Sequence, residues 1–170
     1  MNFSKNVELI ASPSNSGRVD VLVPRSLIRN GHDVLGASID KEGLLSIQIE
    51  WLDGTITSIA CLKETSKVPE EILLPRFAEP HAHIDKAFSW SRSPNFRGSY
   101  QDALAANLNE YELRSEEELI LRVEKSLNLA FVNGIRAIRS HIDSFGKTVM
   151  RDWDLIENVR AKWQKKIFLQ

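Results

Sequence analysis

From about residue 76 onward the hydrophobic pattern runs strand, helix, helix, strand, helix, strand, and this order constrains the chain more than any other feature. Such alternation favours parallel strands joined by right-handed helical crossovers. The first strand is reached through Leu73, Leu74 and Pro75 and runs past Pro80 into His81-Ala82-His83. The first helix follows Ser99 and carries Leu104, Leu108 and Tyr111 at helical spacing. Ser115 and Glu118 have the spacing of a capping box, and the helix behind them sets Leu119, Val123, Leu127, Ala130 and Phe131 on one face. Asn133-Gly134 closes that helix, and a strand from Ile135 to Asp143 is expected next. Asp152 is the expected cap of a last helix bearing Trp153, Ile156, Val159 and Trp163 as packing residues. Ile167, Phe168 and Leu169 begin a further strand.

The first 72 residues read differently. Val19 to Pro24 is a short strand stopped by proline. Leu45 to Trp51 and Thr55 to Ala60 alternate apolar and polar residues around Asp53-Gly54, the signal of a tight antiparallel hairpin. Residues 12–17 are a polar linker, and His32, beside Gly31 and Asp33, is read as a solvated loop residue. The expected division is therefore a small β-module over 1–72, too short in strands to close a core alone, and β/α units over 73–170.

Side chains alternate across a strand, so His81 and His83 are expected to face the same way at the strand's C-terminal end. Two imidazoles so placed can share one metal ion. Asp85 and Lys86 follow at once, and His141 and Asp143 end the second strand toward the same mouth. Asp85 and Asp143 either hold a neighbour, line the mouth or stay solvated. His141 and Lys86 either meet substrate or play structural parts. Phe88 and Trp90 either wall a pocket for an aromatic ring or, the preferred expectation, pack as ordinary core.

Composition removes several functions. The 170 residues carry 22 Lys+Arg against 23 Asp+Glu, a formal net charge of −1, with no long run of either sign. Nucleic-acid backbone and acidic membranes are therefore not expected partners. No apolar run approaches the ~20 residues of a membrane helix. Cys61 is the single cysteine and no basic, then apolar leader is present, so a cytoplasmic protein is the plain expectation. Without a Cys-x-x-Cys, the zinc deaminases that act on bases within nucleic acids are excluded.

Taken together, the lead-in Leu74 to Pro80, the His81-Ala82-His83-Ile84-Asp85 segment and the stretch Asn133 to Asp143 resemble the N-terminal part of amidohydrolase superfamily proteins, in the cytosine deaminase-like branch. The resemblance implies an α/β fold in which a small β-sandwich portion precedes a metal-dependent hydrolase (β/α)₈ barrel, with about three of its eight strands in this sequence. It implies His81 and His83 as ligands of one divalent metal, zinc or iron, with Asp85, Lys86, His141 and Asp143 on the substrate side or behind the ligands. The implied reaction is hydrolysis of a C–N bond other than a peptide bond. Water activated at the metal would deaminate a small cyclic amidine such as cytosine. The remaining ligands and the proton-transfer residues are expected beyond Gln170, so this polypeptide alone should bind metal weakly and turn over little. Two other readings stand beside it: a non-catalytic remnant or interaction module that self-associates or takes a complementary chain at its open barrel edge, and another amidohydrolase branch that opens a cyclic amide.

Overall fold

The structure is a computed structural model that describes residues 15–29, 39–62, 67–143 and 146–170. The expected loop at His32 and residues 12–14 of the linker lie outside the described residues, while Ser16 and Gly17, expected in the linker, belong to the first strand. The chain forms two compact units, Met1–Pro75 and Arg76–Gln170.

The first unit is an antiparallel sheet of three strands in the order β1 (Ser16–Pro24), β2 (Leu44–Leu52), β3 (Thr55–Cys61). Asp53 and Gly54 join β2 to β3 with φ of 49° and 75°. Two successive left-handed residues are what a two-residue hairpin turn requires, which is why Asp-Gly signals it so well. Val21, Val23, Leu45, Ile47 and Ile49 form a buried cluster, the inward positions of alternating strands. The residues of β3 are exposed up to Ala60.

The second unit is built on a parallel sheet, β4 (Phe77–Ala82), β5 (Ile135–Ser140) and β6 (Phe168–Leu169), in chain order. Helices α1 (Tyr100–Leu113) and α2 (Glu116–Val132) connect β4 to β5, and α3 (Val149–Trp163) connects β5 to β6. This is the sequence of elements that the hydrophobic periodicity predicts.

Both reciprocal bonds of the capping box form at α2. The Ser115 hydroxyl accepts from the Glu118 N–H at 3.2 Å, and the Ser115 N–H donates to Glu118 Oε2 at 3.0 Å. Leu119, Val123 and Leu127 are fully buried and pack with Ile84, Ile138, Ile156, Val159, Ile167 and Leu169. Gly134, at φ 83°, turns the chain out of the helix into β5.

Three local expectations are corrected. Asp152 does not cap α3. Thr148 holds that position, and Asp152 lies inside the first turn, 1% exposed and ion-paired. β5 ends at Ser140, so His141 and Asp143 lie in the loop beyond it, as His83 lies one residue past β4. Phe88 and Trp90 are not core. They are 46% and 60% exposed, on the irregular segment after β4.

A candidate half-site for a metal ion

The C-terminal ends of β4 and β5 are stitched together, and this brings the histidines into one place. The His141 N–H donates to the Ala82 carbonyl at 2.7 Å, between the two histidines of β4. One residue on, the Ile84 N–H donates to Ser140 Oγ at 3.3 Å. The imidazole centroids of His81 and His83 are 5.4 Å apart. His141 stacks on His81 at 4.2 Å and lies 5.7 Å from His83. His81 and His141 are exposed and His83 is half-buried.

Asp143 sits beside this cluster and collects its neighbours. Its Oδ2 accepts from Lys86 Nζ at 2.6 Å and from Asn107 Nδ2 at 2.9 Å, while its Oδ1 lies 3.6 Å from His83 Nδ1. Burial works to raise the Asp143 carboxyl, but the hydrogen bonds from Lys86 and Asn107 outweigh it and hold the group below its ordinary range. Asp143 is therefore a carboxylate at neutral pH. A cleft of about 540 Å³ opens over Lys86 and Asp143, walled by Trp90 on the loop and by Tyr100, Leu104 and Asn107 on α1.

Asp85 goes elsewhere. It is 0% exposed, with its carbonyl taking bonds from Arg122 at 2.9 Å and Arg114 at 3.3 Å, and its Oδ2 accepting weakly from the Asp143 N–H at 3.4 Å. Burial pushes its carboxyl up, against the pull of Arg114. Behind it, Arg114 pairs with Asp152 at 2.7 Å and Arg122 with Glu110 at 2.6 Å. The sequence placed Asp85 at the mouth or in solvent, and the structure places it in this buried ion-pair network.

The network and Asn107 were missed by sequence reasoning. Arg122 did carry a signal: it falls within the buried stripe of α2, three residues after Leu119 and beside Val123. Asn107 carried none, being one amide in the middle of a polar helix.

The donor chemistry suits a divalent metal in part. His83 Nδ1 is buried with no hydrogen-bond partner among the described residues, which is unusual for a buried polar atom and natural for a nitrogen that takes a metal. The imidazoles of His81 and His83, two residues apart with centroids 5.4 Å from each other, could supply two ligands. Among the described residues, no group of three or more His, Cys, Asp or Glu side chains is arranged to hold an ion. What is present fits half of a coordination sphere.

No family model matches the sequence. The chain is 33% identical over 136 residues to a pterin deaminase of Rhizobium rhizogenes, an alignment that covers 76% of this chain and 31% of that protein. Its fold is shared with 5-methylcytosine deaminase from Klebsiella pneumoniae. With the structure liganded by phosphonocytosine the TM-score is 0.66 at 16% identity, covering 91% of this chain and 35% of the enzyme. With the form liganded by 5-fluorocytosine it is 0.58 at 18% identity, covering 74% and 32%. The fold is thus an α/β unit like the corresponding part of these structures. More narrowly, the chain resembles the N-terminal part of amidohydrolase superfamily proteins in the cytosine deaminase-like branch. It spans about a third of the length of these relatives. No helix among the described residues is long and apolar enough to cross a membrane.

Proposed function

We propose that this chain is part of a metal-dependent hydrolase that deaminates a small nitrogen heterocycle, with His81 and His83 as two ligands of one divalent ion, zinc or iron. The observation that carries this reading is the convergence of His83 and Lys86 on Asp143, where the loops after β4 and β5 meet, in a chain 33% identical over 136 residues to a pterin deaminase. A bound metal would supply a water acidic enough to act as a nucleophile near neutral pH.

The protein's own residues have distinct tasks in this reading. Asp143 and Lys86 present a carboxylate and an ammonium to the cleft, complementary to the N–H and carbonyl edges of a ring such as a pterin or cytosine. Asn107 keeps Asp143 charged and fixed. Trp90 and Tyr100, both largely exposed on the cleft wall, offer flat surfaces to a planar substrate. His141, stacked on His81, orders that ring from the substrate side. The N-terminal sheet belongs to a β-sandwich, and β4 to β6 are the first strands of a (β/α)₈ barrel whose site lies at their C-terminal ends.

Two imidazoles leave a metal half-coordinated, so turnover by this polypeptide alone is expected near background. Ammonia release from pterin and from cytosine by the zinc- or iron-loaded chain tests this, and robust turnover would contradict it. Substrate class is tested by fluorescence titration of pterin against the metal-loaded chain. Binding that weakens in D143A supports the reading, and absence of binding by pterin, cytosine and 5-methylcytosine alike overturns it.

A second reading is favoured by one feature: Phe77 and Phe168, on the outer strands of the parallel sheet, are 53% and 66% exposed. Such apolar groups at open strands suit self-association or a complementary polypeptide. A compact monomer on size-exclusion chromatography would argue against association.

A further inference from the structure

We propose that Arg114 and Arg122 are positioning residues that hold the turn from His83 to Lys86, and through it the His83 imidazole. The proposal rests on the reading of His81 and His83 as metal ligands.

Both arginines donate to the same atom, the Asp85 carbonyl oxygen, Arg122 at 2.9 Å and Arg114 at 3.3 Å. That oxygen is two residues from His83, inside a turn that the Lys86 N–H closes weakly on the His83 carbonyl at 3.4 Å. With both lone pairs of the carbonyl engaged, the peptide plane at Asp85 cannot rotate without breaking a charge-assisted bond. Rotation of that plane would carry the Lys86 N–H away from the His83 carbonyl and open the turn that follows the histidine.

The two guanidinium groups are themselves immobile. Arg114 and Arg122 side chains are 1% and 7% exposed. Arg114 is fixed by Asp152 on α3 at 2.7 Å and lies over the Tyr111 ring at 4.6 Å. Arg122 is fixed by Glu110 at 2.6 Å. The turn is thus referred to three helices at once. Well-packed apolar residues often replace buried ion pairs without loss of stability, but they could not hold a carbonyl.

The need for such a brace is visible at the ring. An imidazole is ordinarily held in place by a hydrogen bond at a ring nitrogen. His83 Nδ1, the nitrogen left open for a metal, has none among the described residues, and Asp143 stands off at 3.6 Å. The backbone must therefore do much of the orienting.

The test uses the whole chain with ¹⁵N-labelled histidine and long-range proton–nitrogen spectra of the imidazoles, comparing R122K and R114K with the unsubstituted protein. Lysine keeps the charge and shortens the reach, so each variant should lose its bond to the carbonyl. The expected result is that His83 ring signals move by more than a linewidth in both variants, while the Trp163 indole signal and cooperative unfolding are kept. Folded variants with unmoved His83 signals would overturn the proposal. If R122K does not fold, R114K carries the comparison, and loss of fold in both would make the arginines general braces and overturn it as well. Zinc affinity, followed in parallel, should weaken on the order of tenfold in the variants. If the unsubstituted chain takes no zinc, the metal reading fails, and the ring signals still decide the role of the arginines.

Discussion

Lys86 and Asp143 are 57 residues apart in sequence and meet at 2.6 Å, at the point where the loops after β4 and β5 touch. This contact ties the histidine-bearing strand to its neighbour and defines the floor of the cleft. Both side chains are about a quarter exposed, so solvent screening keeps the pair modest. A double-mutant cycle of K86M and D143A should give a coupling of about 0.5–1 kcal/mol in urea unfolding. Coupling indistinguishable from zero would mean that the contact organises nothing.

The start of α2 depends on one hydroxyl. Ser115 Oγ takes the Glu118 N–H, and S115A should lower the unfolding free energy by about 1 kcal/mol, read as a shift of the urea midpoint at unchanged slope. A change within error would show that the acidic first turn of Glu116, Glu117 and Glu118 starts the helix without the cap.

What was legible in the sequence was local. Periodicity found the stripe of Leu119, Val123 and Leu127 because those residues are neighbours on a single helix. Asp53-Gly54 marked its hairpin because a backbone conformation demands those residue types. The His81 and His83 pair was visible because strand geometry relates positions two apart. The rest depended on contacts between distant segments. Asp152 looked like a cap from its place before a helical pattern, yet its carboxylate is taken by Arg114, 38 residues away. Trp90 and Phe88 looked like core because they are large and apolar. They are exposed, Trp90 on the cleft wall and Phe88 at φ 61° under the Lys125 ammonium. Asp85 could not be assigned, because its partners Arg114 and Arg122 arrive from two helices.

The Asp152 ion pairs give stability a definite dependence on acid. Burial alone would raise this carboxyl, but the hydrogen bonds from Arg114 and Arg151 more than offset it, so its pKa is lowered in the folded state. A depressed carboxyl contributes stability in full above its unfolded value, roughly 3.9, and loses it as pH falls through the lower folded value. Unfolding free energy should therefore drop more steeply below about pH 4 in the unsubstituted chain than in D152N. Parallel pH profiles would show that the charge on Asp152 does not stabilise the fold.

The central claim is that His81 and His83 together take one divalent metal ion. Its most direct measurement is a zinc titration by calorimetry of the unsubstituted chain, H83A and H32A. The account predicts one ion per chain, bound weakly by a two-histidine site, at least tenfold weaker in H83A and unchanged in H32A. Equal zinc binding by the unsubstituted chain and H83A would contradict it.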